Sequence, residues 1–373
     1  MSADPLFQPL PLGAITLAHR VVMAPLTRLR SRQPGNVPTA LNAEYYGQRA
    51  SRGGLVIAEA TNVSDQARGY PGAPGLHTPE QVAGWRGVAE AVHRKGGFLF
   101  VQLWHTGRVS HSSMHGGALP VAPSAIPAVG KHMDVTGAPA EFEVPRALAL
   151  AELPGIVAQF RHAAECAKAA GADGVEVHGA NGYLLDQFLQ NSANQRDDAY
   201  GGSIANRARL LLEVVDAVSE VLGADRVGVR LSPYGVVYGT TDTDPEALFN
   251  HVAAELDRRG VAYLHVIEPR VDQHSDTNAF KEDRPSDVAG RFKAIFRGPV
   301  IAAGGFVKET AERALREGHA DAIAFGRLFI ANPDLPERLR SGAAMNRYDR
   351  ATFYGGDARG YTDYAALAEQ RAA

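Results

Sequence analysis

Short, almost wholly apolar runs alternate along most of this chain with longer stretches of helical period. Arg20 to Ala24, Gly54 to Ala60, Phe98 to Trp104, Gly174 to Val177, Arg226 to Leu231, Ala262 to Ile267, Pro299 to Ala302 and Asp321 to Phe325 are bounded by turn residues, the pattern of strands buried on both faces. Helices are predicted between them: near Ala40 to Arg52, from Ser203 with Leu210, Leu211, Leu212, Val214, Val215 and Val218, and from Lys308 to Glu317. Thr78-Pro79-Glu80-Gln81 carries a capping-box pattern with proline at the first helical position, and its helix should stop at Gly96. Another helix starts at Pro154, sets Ile156, Phe160, Ala163, Ala164 and Ala167 on one face, and stops at Gly171; Asp244 caps the next. Eight strand-then-helix units with no antiparallel hairpin among them predict an α/β fold, a (β/α)8 TIM barrel. An open doubly wound sheet is the alternative, but no G-x-G-x-x-G follows any strand, so it gains no support from dinucleotide binding.

Two segments fall outside the alternation. Phe7 to Ala18, punctuated by Pro and Gly, predicts a small N-terminal hairpin that caps one end of the barrel. Gly107 to Pro145, after the third strand, is rich in Gly, Pro, Ser and His and far too long for an ordinary connection; it is expected to be a lid or substrate wall. Length alone would allow two domains, yet barrels of this size fold as one, and residues 1–373 are read as a single domain.

Composition narrows the function. With 45% hydrophobic and 21% charged residues the chain has ample material for a large core, and a net charge of −3 without long like-charged runs gives no footprint for nucleic acid or an anionic membrane. Small-molecule chemistry is the better expectation. The Met1-Ser2-Ala3-Asp4-Pro5 start has no basic segment before an apolar core and no stretch approaches a spanning length, which suggests a cytoplasmic protein. The lone Cys166 falls within a predicted helix, where it should be buried and inert. His111 and His115 have helical metal-ligand spacing but lie in the excursion, and no metal is expected.

In a barrel, polar residues at the carboxyl ends of the strands point into the active-site mouth. The richest end is Gly174 to Leu189, where His178, Asn181 and Tyr183 follow an apolar strand within six residues. His178 and Asn181, at i and i+3, converge on one acceptor oxygen if the chain makes a single helical turn, and Tyr183 supplies a phenol able to deliver a proton. Each has a plainer reading: a solvated loop histidine, an asparagine serving a turn, a packing tyrosine. Thr27, Gln102 and Arg230 stand at three other strand ends, and Gly304, Gly305, Gly326 and Arg327 follow the last two strands, where barrels commonly hold a phosphate. A guanidinium and a glutamine amide with a threonine hydroxyl opposite suit a flat heterocycle carrying acceptors and a donor. A flavin pyrimidine ring is such a group.

Met23-Ala-Pro-Leu-Thr-Arg28, Glu59-Ala60, Gly72 to His77, Gln102 to Arg108, His178 to Phe188, Ala324 to Leu335 and Thr352 to Gly356 resemble the old yellow enzymes, FMN-dependent ene-reductases, over about Phe7 to Tyr364. The resemblance implies a barrel with tightly but non-covalently bound FMN that reduces the C=C bond of activated alkenes (α,β-unsaturated carbonyls, maleimides, nitro-olefins) with NADH or NADPH, in two half-reactions at one site. Nitrate esters or nitroaromatics are alternative substrates for the same site, and the chain should act as a monomer or homodimer. It also implies roles: Thr27 tunes the flavin, Tyr183 is the proton donor, and His178 and Asn181 bind the substrate's carbonyl or nitro oxygen. Pro25, Leu26, Ala60, Gln102 and Arg230 hold the ring and ribityl chain, Gly304, Gly305, Gly326 and Arg327 the phosphate, while Tyr70, Trp104 and Tyr354 line the substrate side. The excursion and Glu268 to Arg284 depart most from the family pattern. Outside the resemblance, a flavin-free barrel lyase acting on a sugar phosphate would share the phosphate loops but should show a lysine or metal ligands. A flavin-binding redox sensor without turnover is a third reading.

Overall fold

A computed structural model describes residues 4–269 and 287–372. Residues 270–284 of the divergent segment named above lie outside the described residues.

The chain opens with β1 (Leu10–Leu12) and β2 (Ile15–Leu17), an antiparallel hairpin. The barrel begins with β3 (Val21–Met23), β4 (Leu55–Asn62) and β5 (Phe98–Trp104), separated by α1 (Ala40–Arg49) and α2 (Pro79–His93). The excursion holds a short 3-10 turn, β6 (Val121–Ala122), β7 (Lys131–Met133), β8 (Pro139–Glu141) and β9 (Arg146–Ala147). Then follow α3 (Leu153–Ala169), β10 (Gly174–Gly179), α4 (Leu184–Leu189), α5 (Ile204–Leu222), β11 (Val227–Leu231), α6 (Pro245–Arg259) and β12 (Tyr263–Ile267). α7 (Val288–Lys293), β13 (Val300–Ala303), α8 (Lys308–Arg316), β14 (Ala322–Phe325), α9 (Arg327–Ala331) and α10 (Leu335–Ser341) complete the frame. Eight strands close in the order β10-β11-β12-β13-β14-β3-β4-β5, with every pair parallel. The expected (β/α)8 barrel is the fold.

Alternation along each strand sorts side chains into two layers. Val175 and Val177 of β10 and Val227 and Val229 of β11 join the outer core under α3 and α5, with Phe160, Ala163, Leu211 and Val215. The residues between them face inward. Inside, Leu10, Leu12, Ile15 and Leu17 of the hairpin pack with Val22, Leu55, Ile57, Phe100, Tyr263 and Ile301, so the hairpin seals the amino-terminal end of the barrel. At Gly228 a Cβ would collide with the Tyr263 ring; the absent side chain is what lets that ring fill the barrel axis.

The local signals act as read for α2. Thr78 Oγ1 accepts from the Gln81 N–H at 3.3 Å, Gln81 Oε1 accepts from the Thr78 N–H at 3.1 Å, and Pro79 opens the helix; such a cap stabilises by about 1 kcal/mol. The sequence reading missed local structure in two places. Within the excursion, β7 and β8 form an antiparallel hairpin and β6 pairs in parallel with β9. Its pairs are short and alternate little, so periodicity could not reveal them. Short helices α4 and α7 were also missed, each being too brief to show a period. Among the described residues no helix is long and apolar enough to cross a membrane, and no three His, Cys, Asp or Glu are placed to hold a metal ion. Cys166 is buried, and burial raises its thiol pKa.

Candidate active site

The end of β10 shows how the strand makes a site. With Val175 and Val177 turned outward, Glu176 and His178 point into the barrel. The chain then turns not through a helix but through Asn181 in the left-handed region, at φ 59°, with its N–H donating to Ser232 Oγ at 2.8 Å. The expected single helical turn is therefore wrong. His178 and Asn181 both reach the mouth because a strand end is followed by two residues of positive φ, Asn181 and Gly182 at 74°, a conformation asparagine tolerates and glycine adopts freely. Tyr183 comes next, directly before α4, and Asp186 in the first turn of α4 accepts the Gly182 N–H at 2.8 Å. Burial pushes the Asp186 carboxyl up to about 7, although Gln190 donates to it at 2.6 Å.

His178 is almost fully buried. Burial first, and then the neighbouring Arg230 and His265, hold its pKa well below the ordinary value, so the imidazole is neutral. Burial pushes the Tyr183 phenol well above its usual range and keeps it protonated. The Tyr183 ring meets His178 edge-on at 5.2 Å between centroids and Trp104 edge-on at 4.9 Å. Tyr70 stacks on Trp104 at 5.5 Å, and its hydroxyl lies 2.8 Å from that of Tyr238.

These groups face a cavity of about 530 Å³ at the carboxyl end of the barrel. Every residue given a site role from the sequence lines it: Pro25, Leu26, Thr27, Ala60, Gln102, Trp104, His178, Asn181, Tyr183 and Arg230 among them. Gly304, Gly305, Gly326 and Arg327 stand at one edge, Tyr70 and Tyr354 at the rim. The loop carrying Thr27 is fixed from below by buried Glu59, which accepts the Arg28 N–H at 2.9 Å and the Tyr46 hydroxyl at 3.1 Å. Arg28 and Arg30 then grip the segment that carries Tyr354. Arg28 donates to the carbonyls of Phe353 and Gly360, both at 2.8 Å, and Arg30 to those of Thr352 at 2.9 Å and Asp357 at 2.9 Å. Arg49 adds the Tyr361 carbonyl at 3.0 Å.

The lining suits FMN. Arg230 Nε and Trp104 Nε1 are buried without a hydrogen-bond partner among the described residues, an arrangement protein interiors avoid unless a ligand or water completes it. At Gly304, where φ is 134°, a Cβ would approach the Glu268 carbonyl oxygen to 2.9 Å, so only glycine fits at this edge of the cavity.

Several residues of the site escaped the sequence reading. Lys131, His132 and Met133 of β7 line the cavity, which puts the excursion at the mouth, and Tyr238, at φ 56°, adds another phenol. Beneath the floor, Gln102 donates from Nε2 to Glu176 Oε1 at 2.7 Å, while Tyr263 Oη and His265 Nδ1 lie 3.1 and 2.9 Å from Glu176 Oε2. One carboxylate in an apolar strand, at an inward position and level with Gln102, was the available signal. His115 instead bonds Ser110 Oγ at 2.9 Å, and His111 bonds Ser113.

A closed parallel barrel with an arginine, an amide and a glycine edge around one polar mouth defines a flavin-binding α/β-barrel oxidoreductase. The chain belongs to the NADH:flavin oxidoreductase / NADH oxidase family, the old yellow enzymes, whose family model matches residues 5–346. Flavin oxidoreductase hxnT of Emericella nidulans is 47% identical over 382 residues, covering 97% of each chain. 12-Oxophytodienoate reductase 1 of Oryza sativa is 46% identical over 99% of this chain and 94% of its own. Among solved structures, morphinone reductase in complex with tetrahydroNAD superposes with a TM-score of 0.90 at 51% identity, covering 97% of each chain. The old yellow enzyme homologue from Zymomonas mobilis does so with 0.92 at 42% identity, over 97% of this chain and 99% of that one. The protein is an NAD(P)H-dependent FMN oxidoreductase.

Proposed function

We propose that the protein reduces the C=C bond of activated alkenes, with NAD(P)H and alkene using the same cavity in turn. One observation carries this reading: a neutral imidazole and a protonated, half-buried phenol meet ring to ring at 5.2 Å in the cavity that Gln102 and Arg230 also line. Bound FMN supplies the hydride carrier, filled by NAD(P)H and emptied onto the alkene. Gln102 and Arg230 would hold its pyrimidine edge, Thr27 its opposite carbonyl, and Gly304, Gly305, Gly326 and Arg327 its phosphate.

His178 has one ring proton to place. On Nε2 it leaves the buried Nδ1 an unfilled acceptor, which costs less than an unfilled donor, so Nε2–H donates to the carbonyl or nitro oxygen. Asn181 gives the second hydrogen bond. Together they draw electron density toward that oxygen and make the β-carbon electrophilic. Tyr183 delivers its phenolic proton to the α-carbon. Relatives named as reductases of 12-oxophytodienoate and of morphinone support this reading.

Anaerobic titration tests it. Purified holoprotein should bleach with NAD(P)H and recolour with cyclohexenone, forming one cyclohexanone per NAD(P)H consumed, and initial rates should give parallel double-reciprocal lines. Bleached protein that recolours with oxygen but with no enone, maleimide or nitro-olefin would leave a flavin redox protein without alkene turnover.

A further inference from the structure

Glu176 is a buried carboxylate that the reaction above does not use. It is fully enclosed in the barrel axis, in register with Gln102 on β5 and one inward position below His178. Three donors converge on it: the Gln102 amide at 2.7 Å, the Tyr263 hydroxyl at 3.1 Å and His265 Nδ1 at 2.9 Å. Burial raises its pKa, but the hydrogen bond from His265, the charge of Arg230 and the hydrogen bond from Gln102 more than offset this, so it sits below the ordinary carboxylate value and is ionised. His265, itself kept neutral chiefly by burial, donates its single proton from Nδ1 and leaves Nε2 without a partner. A carboxylate can only accept, so it is chemistry that makes the Gln102 NH₂ face Glu176. The Gln102 carbonyl oxygen must then face the cavity.

We propose that Glu176 is a positioning residue for the flavin: it fixes Gln102 with its acceptor oxygen toward the cofactor, and its negative charge moderates the field that Arg230 projects into the cavity. This rests on the reading of Gln102 and Arg230 as cofactor contacts. An acceptor at that place matches the imide N–H of the pyrimidine edge, whereas a flipped amide would set two donors against it. The charge has an electronic consequence. Reduced flavin carries negative charge on its pyrimidine side, which Arg230 favours and Glu176 opposes, so the pair together sets the reduction potential. A carboxylate kept only to stabilise the fold would be a poor choice there, since a buried ion pair is weak evidence for stability.

The test measures FMN dissociation and reduction potential rather than turnover. Glu176→Gln keeps the shape, removes the charge and lets either amide end meet Gln102. FMN affinity should fall roughly 5- to 10-fold, about the net worth of one hydrogen bond, and the potential should become more positive because Arg230 is no longer opposed. Tyr263→Phe withdraws a donor from the carboxylate, leaves more of its charge unneutralised, and should shift the potential the other way. That variant also stands alone if Glu176→Gln yields no folded protein. Wild-type potential and affinity in Glu176→Gln, or shifts of the same sign in both variants, would overturn the proposal. Gln102→Leu separates the underlying reading: unchanged FMN affinity there means Gln102 is not a cofactor contact, whereas a loss there with none in Glu176→Gln removes Glu176 alone.

Discussion

Tyr183 and His178 touch each other, yet holding an oxygen and supplying a proton are different tasks and should fail differently. Tyr183→Phe retains the ring that meets Trp104 and His178 edge-on and removes only the phenolic proton. Stopped-flow traces should show bleaching by NAD(P)H at close to the wild-type rate, and recolouring by cyclohexenone slowed roughly 10²- to 10⁴-fold, the usual loss of a general acid. Nitro-olefins, whose reduced forms are stabilised anions able to take a proton later from water, should be far less affected. His178→Ala should impair both phases, because both ligands would use the same donor. Equal cyclohexenone rates in wild type and Tyr183→Phe would mean the proton comes from elsewhere. Both residues were legible in the sequence as candidates, because polar groups at the end of a buried barrel strand face its mouth, though each also had a plainer reading. Their protonation states were not: burial sets both, helped at His178 by Arg230 and His265 and at Tyr183 by Tyr238, groups that only the fold brings near.

At the scale of elements, the turn between β10 and α4 is held by Asp186, which receives the Gly182 N–H and the Gln190 amide. Its carboxyl pKa lies near 7, above its unfolded value, so the folded state holds this proton over a pH range where the unfolded chain has lost it. The group's contribution is therefore fully present below the unfolded pKa and declines as pH rises to about 7. Asp186→Asn lacks this dependence. Thermal melts should show the variant gaining on the wild type between pH 4 and 7, and no further change in the difference above 7. A constant difference across that range would place Asp186 outside the titration. Legibility at this scale followed the length of each element. Capped helices such as α2 and the apolar strand β5 were read to within a few residues, because one local pattern decides them. β7 and β8, Asn181's left-handed turn and the Glu176 network were missed, because each is decided by partners distant in sequence.

On the scale of the molecule, the barrel lines the cavity while the rim is built from pieces outside the strand-and-helix repeat: β7 of the excursion and the segment carrying Phe353 and Tyr354. That last segment was legible as a motif, but nothing in the pattern of the chain told that Arg28, Arg30 and Arg49 would seat it. Their grip falls on main-chain carbonyls. Tyr354 itself is 64% exposed and takes no part in that seating. Tyr361 is held by its side chain as well, its ring stacked on Tyr45 at 4.0 Å and lying under the Arg30 guanidinium at 4.6 Å, so it is the exposed Tyr354 position that can be rewritten without dislodging the segment. Tyr354→Ala should leave unfolding free energy within about 0.5 kcal/mol of wild type, as at other exposed positions, while changing relative kcat/KM across small and bulky enones. A large loss of stability would show that the side chain helps seat the segment. Such a mounting separates the inheritance of a reaction from the inheritance of its clientele: descendants of one barrel can try new molecules at the doorway while the chemistry below goes on undisturbed.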